Sequence, residues 1–437
     1  MFRKRKLTLE YGRMMDAKIT VLKNGLRVVT AEMPSMQTVS VGIWAGAGGR
    51  HEAAGEEGVA HFLEHILFKG TPTRSARQIS EAVEGVGGDL NAMTSEEFTC
   101  YYARACHGHW PRLLDVLSDM FKNAHLPPEE IERERGVILE EIRMGLDQPS
   151  QHVSEMLSAC LWPEHPLGRP LLGTPESVAS IDKKLLAGFR GRHYLPSDTV
   201  ICASGKIEHE TFVQAVKETF AKWRPRTTKA PRRTPQKLRP CAQFFQRKET
   251  EQAHLALGWR ACSRHDERRY ALRLLNVILG ENMSSRLFQE IREKRGLAYA
   301  VNSSTSHFAD TGMIGIYAGL DARQVAPAIR CITKELGKLK SRPVSRDELR
   351  RAQDYAAGLV WMGMESVSGQ MLWAGESILG YEKIWTPEEL VQKTEAVTAA
   401  QIQSAAQDFF RADLFSVSLI APDFSTEKIH AAMEGMD

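Results

Sequence analysis

The sequence predicts an α/β protein (α+β in detail) of two homologous, duplicated domains, each a mixed β-sheet packed with helices. Three observations carry this. At 437 residues the chain is too long for one compact core and suits two domains. A basic, proline-containing stretch, Trp223-Arg224-Pro225 through Arg239-Pro240, has no apolar periodicity and reads as a linker near the middle. The order of elements before that stretch is echoed after it. The expected division is a domain over 1–225, a linker over 226–240 and a second domain over 241–437.

The echo runs element by element. Strands near 18–30 and 40–45 precede a helix around His61; strands over 243–249 and 253–260 precede a helix over about 270–279. The segment 87–95, opening on Gly87-Gly88, leads into a strand over 98–104, and about 208 residues later the segment 295–303 does much the same. Each half ends on aromatic residues and an apolar strand: Tyr194 then 199–204, and Phe409-Phe410 then 415–421. The second copy has no histidine pair, because 269–275 occupies the corresponding place.

The first half carries the chemistry. In Gly58-Val59-Ala60-His61-Phe62-Leu63-Glu64-His65-Ile66-Leu67-Phe68, Val59, Phe62, Leu63, Ile66 and Leu67 share one apolar face at helical spacing. His61, Glu64 and His65 share the opposite face. This is H-x-x-E-H, the inverzincin order. Two imidazoles one turn apart can chelate one Zn²⁺, and a carboxylate between them can reach a water there. The alternative is an ordinary amphipathic helix whose polar side holds two histidines.

A catalytic zinc usually takes three protein ligands. The third is sought on the charged helix over about 128–145, which starts at Pro127-Pro128 with Glu129 and Glu130 in its first turn. Ile131, Val137, Ile138 and Ile142 define its expected buried stripe. Glu134 and Glu141, seven residues apart, project in nearly one direction inside that stripe, whereas Glu132, Arg133, Glu140 and Arg143 point elsewhere. A carboxylate set in an apolar face is costly unless a cation meets it. The competing reading is a pair of surface salt bridges, which suits Glu132 and Glu140 better than Glu134 and Glu141.

With these residues placed, the sequence resembles the pitrilysin/insulinase-type zinc metallopeptidases, most of all bacterial processing-type peptidases and the catalytic subunit of mitochondrial processing peptidase. In that family the ligand glutamate follows the second histidine by about 76 residues, which falls on Glu141, and a supporting glutamate seven positions earlier falls on Glu134. The run Glu134-Arg135-Gly136-Val137-Ile138-Leu139-Glu140-Glu141 also resembles the family's, and the likeness extends from about Ile19 to Pro422. It implies that His61, His65 and Glu141 bind one Zn²⁺ per chain, that Glu64 is the general base and that Glu134 orients the site. It also implies a duplicated architecture closing as a clamshell around a chamber.

The second half offers Ser285-Arg286-Leu287-Phe288-Gln289-Glu290-Ile291-Arg292-Glu293-Lys294-Arg295-Gly296-Leu297-Ala298-Tyr299. This resembles a family signature whose arginine and tyrosine hold substrate and stabilise the transition state, here Arg292 and Tyr299. Without the resemblance, Arg292 reads as a helix-surface charge and Tyr299 as a half-buried strand residue. Asn91-Ala92-Met93-Thr94 resembles the family's edge strand, so Asn91 and Ala92 are expected to pair with an extended peptide. Phe68 lies on the zinc-facing arc and by resemblance walls a substrate pocket; a core phenylalanine is the other reading. One departure stands out. Processing subunits carry acidic residues where this chain has Gln151 and Glu155, which weakens the case for arginine specificity.

Composition sets the remaining expectations. Net charge of +3 gives no global argument for nucleic acid, and no apolar run approaches the length of a transmembrane helix. Met1-Phe2-Arg3-Lys4-Arg5-Lys6 is basic with no apolar segment behind it, so it reads as a solvated tail rather than a secretory signal; Met14-Met15 offers a second start. Seven scattered cysteines fit core positions in a reducing compartment, the cytoplasm. The expected activity is a zinc endopeptidase acting on unstructured peptides, working as a homodimer. The alternatives are a non-catalytic assembly subunit of the same fold, or the catalytic half of a heterodimer.

Overall fold

The computed structural model describes residues 15–225, 243–411 and 415–434. The expected linker over 226–240 and the basic Met1–Lys6 tail lie outside the described residues. Short runs rich in valine, isoleucine and threonine form the strands β1 (Asp16–Val21), β2 (Arg27–Glu32) and β3 (Thr38–Ala45), and later β6 (Thr199–Gly205), while β4 (Asp89–Thr94) and the tyrosine-bearing β5 (Thr99–Cys106) lie between them in the chain. They make one six-stranded sheet in the order β1-β2-β6-β3-β5-β4. After the middle come β7 (Gln243–Arg247), β8 (Ala253–Ala261), β9 (Ala298–His307), β10 (Gly312–Leu320) and β11 (Phe415–Ala421). Their sheet runs β7-β11-β8-β10-β9.

The two orders are the same once β1 is set aside. β2 and β6 pair in parallel, as do β7 and β11, and every other pairing is antiparallel. The echo read in the sequence is therefore a duplicated sheet. Two strand expectations change. The stretch 18–30 is a hairpin rather than one strand, because the chain turns at Lys23-Asn24-Gly25, where Leu22 N–H donates to the Leu26 carbonyl at 2.8 Å. The segment 87–95 does not merely lead into a strand; most of it is β4, the edge of the first sheet, just as β9 is the edge of the second.

Both sheets are covered on both faces, and each half supplies a helix to the other. One face of the first sheet packs on its own helices through Val41, Ile43, Phe62, Ile66, Leu117 and Phe121. Its other face, Trp44, Val200 and Cys202, is covered by Met371, Ala374 and Ile378 of the helix Val367–Tyr381, from the second half. There Gly375 lies so close to the Trp44 indole that a Cβ would overlap the ring. In return the helix Pro149–Leu161 of the first half lays Val153, Met156 and Leu157 on Ala256 and Ile420 of the second sheet. The uninterrupted burial of β6 and β11 requires such double cover.

An ion cluster joins the halves at one end. Arg50, its side chain 1% exposed, reaches Glu97 in the β4–β5 turn and Asp310 in the β9–β10 turn, both at 2.6 Å. Arg264 of the second half also pairs with Glu97.

Candidate metal centre

The centre is built first by the helix Val59–Ile66. Val59, Phe62, Leu63 and Ile66 are buried, while His61, Glu64 and His65 are only partly so. The helix begins at Gly58 with φ +87°, a backbone state that L side chains avoid, and a Cβ there would press on the Leu172 carbonyl. Glycine offers no capping side chain, and Glu52 takes that role. Its carboxylate accepts from Gly58 N–H at 3.0 Å and Ala60 N–H at 2.8 Å. Burial pushes the Glu52 carboxyl up to about 8, against the pull of those two N–H groups. The start of the histidine helix is thus fixed by a carboxylate upstream of it.

The second wall is the helix Pro128–Leu146, with proline in its first turn and Glu129 and Glu130 beside its positive end. Its buried residues are Ile131, Glu134, Ile138 and Ile142. Val137 does not belong to that stripe; it is 45% exposed. At 100° per residue the carboxylates mark the edge of the buried face, and Val137 falls on their solvent side.

These two helices bring three ligand atoms together. The Nε2 of His61 lies 3.8 Å, and that of His65 3.6 Å, from Oε2 of Glu141. Ligand atoms of the three residues all lie within 4.8 Å of one another. Such gaps are long for hydrogen bonds, yet close to the roughly 3.4 Å between two donors each about 2.1 Å from a tetrahedral ion. Burial, then the His65 ring beside it, push His61 down to about 4, so near pH 7 its imidazole is neutral and has a lone pair to give. Its buried Nδ1 has no hydrogen-bond partner among the described residues. Two imidazoles and one carboxylate, partly open to solvent, fit a zinc with a position left for water.

Glu64 lies beside this trio. Thr94, the last residue of β4, donates its hydroxyl to Oε2 of Glu64 at 2.5 Å. Burial pushes the Glu64 carboxyl above the usual carboxylate range, with a further push from Glu141; Thr94 and His65 pull the other way. Glu134, 6% exposed, faces Nδ1 of His65 with one oxygen at 3.1 Å and receives Lys69 Nζ on the other at 2.7 Å.

The other expected residues lie further out. Asn91 and Ala92 sit on β4 at the sheet edge, Asn91 exposed and Ala92 half-buried. Phe68 stands in the short turn Leu67–Lys69, half-buried, packed against the first core with its ring 6.4 Å from that of Tyr101. Gln151 is exposed, and Glu155 lies 3.5 Å from His152 on the helix Pro149–Leu161.

Arg292 and Tyr299 are together in the second half. The guanidinium lies over the Tyr299 ring at 5.3 Å and over Phe288 at 4.9 Å. Arg292 is carried by a π-helical turn, Phe288–Glu293. Tyr299 is not half-buried but 73% exposed, and the register says why. Ala298 pairs with Leu320 and Ala300 with Gly319, leaving Tyr299 as the extra residue of a β-bulge on an edge strand. Arg292 stacks on Phe288 and Tyr299 and pairs with Glu293, all within the second half. Glu52 and Lys69 escaped sequence reasoning, and Thr94 was read only as part of the edge strand, not as the partner of Glu64. Of the two missed outright, Lys69 left a local trace, standing four residues after His65.

The family profile described as insulinase (peptidase family M16) matches residues 27–175, which include every residue of the metal centre. The profile described as the peptidase M16 inactive domain matches 180–355. The chain is 38% identical over 424 residues to an uncharacterised zinc protease of Streptomyces coelicolor, covering 95% of this chain and 92% of the relative. It is 37% identical over 404 residues to another of Bacillus subtilis, covering 92% and 97%. In fold it is similar to a protease from Helicobacter pylori, with TM-score 0.87 and 22% identity over 93% of this chain and 100% of that one. A peptidase M16 inactive-domain structure from Pseudomonas fluorescens gives TM-score 0.86 and 18% identity, covering 94% and 99%. With near-complete coverage of such relatives, the chain belongs to peptidase family M16, the insulinase family.

Proposed function

We propose that the protein is a zinc-dependent endopeptidase that hydrolyses unstructured peptides or processing segments. The observation that carries this is the meeting of His61, His65 and Glu141 around one point, with Glu64 beside them. One zinc per chain, when bound, supplies a water acidic enough to attack near pH 7 and polarises the scissile carbonyl. The rest falls to the chain. Glu64, half-shielded and steered by Thr94, takes the proton from the attacking water and returns it to the leaving amine. An extended substrate adds to the edge at β4, with Asn91 and Ala92 giving main-chain hydrogen bonds, so binding is largely blind to side chains. Phe68 lines the pocket beyond the scissile bond.

Arg292 and Tyr299 complete the site from the second half. Their mutual stacking and the bulge that turns Tyr299 to solvent support a role toward substrate rather than core. The assembly subunit reading is disfavoured by the retention of all these groups in one chain. That same retention supports a homodimer needing no unlike partner, and the six free thiols among the described residues, four of them buried, suit the cytoplasm.

The test is cleavage of a quenched, unstructured peptide beside metal analysis. Zinc removal by a chelator should abolish cleavage, and one equivalent of zinc should restore it; equal cleavage by the metal-free protein would sink the proposal. In the same assay Tyr299→Phe should keep its zinc and lose about 10²–10³ in kcat, as for loss of an oxyanion donor. Arg292→Ala should raise KM as well. Wild-type kinetics in Tyr299→Phe would reduce the second half to a wall of the chamber.

A further inference from the structure

We propose that Lys69 is a positioning residue of the metal centre: it holds Glu134, and Glu134 in turn holds His65. The inference rests on the zinc reading above. The geometry is a relay of two contacts on one carboxylate. Lys69 follows His65 by one turn, so both side chains reach the same neighbouring helix. Its ammonium lies 2.7 Å from Oε1 of Glu134, while Oε2 of that carboxylate faces Nδ1 of His65 at 3.1 Å. With both oxygens engaged, the carboxylate has one orientation. The Nδ1 partner of a ligand histidine sets the ring's tautomer and the aim of its other nitrogen. Here that nitrogen is the one 3.6 Å from Glu141.

Charge points the same way. Glu64, Glu134 and Glu141 place three carboxylates around one divalent site, and Lys69 brings the count to neutrality. Arg135, adjacent to Glu134 in sequence, does not serve; it pairs with Glu132 and donates to the carbonyls of Val178 and Ile181. A carboxylate as buried as Glu134 is costly without a partner. A purely structural Lys69 would satisfy that need and leave zinc affinity alone. A positioning Lys69 changes it.

The experiment uses the full-length chain and zinc alone, with affinity read by competition against a chromophoric chelator. Lys69→Met should weaken zinc binding about tenfold and speed its release to chelator. Lys69→Arg, which can still grip the carboxylate, should stay within about threefold of wild type. Glu134→Gln should by itself weaken zinc by about ten- to a hundredfold. Adding Lys69→Met to Glu134→Gln should then cost less than about a further twofold, because the relay is already broken. Melting of the zinc-free proteins checks folding, and Lys69→Gln is read in the same way should Lys69→Met not fold. Wild-type affinity in Lys69→Met and Lys69→Gln, or an undiminished tenfold loss in the Glu134→Gln background, would overturn the proposal. A wild-type chain that bound no stoichiometric zinc would instead take down the metal reading beneath it.

Discussion

Glu64→Gln is expected to bind zinc as the wild type does and to lose nearly all turnover. Glutamine keeps the size and one carbonyl oxygen, so Thr94 can still donate to it. It cannot accept the water's proton, and a positioned general base is worth about 10²–10⁴ in rate. The loss should appear in kcat, with KM little changed, because the residue acts on the water rather than on the peptide. Steady-state cleavage of one quenched peptide, with zinc content matched between the two proteins, reads both parameters. Wild-type turnover in Glu64→Gln would remove Glu64 from the chemistry.

The second large effect is on the metal itself. His61→Ala, His65→Ala and Glu141→Ala should each abolish stoichiometric zinc, since three ligands are the least that hold the ion tightly. The readouts are metal analysis after gel filtration and the melting temperature with and without added zinc. A ligand present at 100 times its Kd stabilises the folded state by about 2.7 kcal/mol, so the zinc-dependent rise in Tm should vanish with the ligand. His65→Ala should be the most damaging of the three, because it also strands the Glu134–Lys69 pair. Full zinc occupancy in any one variant would place the site elsewhere.

What the sequence made legible was local. His61, Glu64 and His65 share a face by helical arithmetic alone, and the seven-residue spacing set Glu134 and Glu141 on one line. The echo announced two like domains, while the strand order and pairing within each sheet came only from the structure. What it hid was long-range. Thr94 meets Glu64 and Glu52 caps the histidine helix only because β4 and an upstream turn fold back on them. Val137 was misplaced because an isoleucine-rich stripe and its solvent border look alike until the neighbouring helix is known. Tyr299 is exposed through a bulge, and one extra residue in a strand leaves no mark in hydrophobic alternation. The helix Val367–Tyr381 is apolar with no strongly polar face, so its sequence does not say which sheet it will cover.

That last helix has a consequence for how the protein is made. The first sheet has all its strands once β6 has left the ribosome, yet the face bearing Trp44 and Val200 lacks its covering helix until Val367–Tyr381 arrives, after most of the second sheet. At about 5–20 residues per second, that interval is on the order of 10–30 s. Throughout it Trp44 has Phe98 of its own half beside it but not the side chains of that helix. The first half by itself therefore leaves that face without its covering helix, and the last quarter of the chain supplies it.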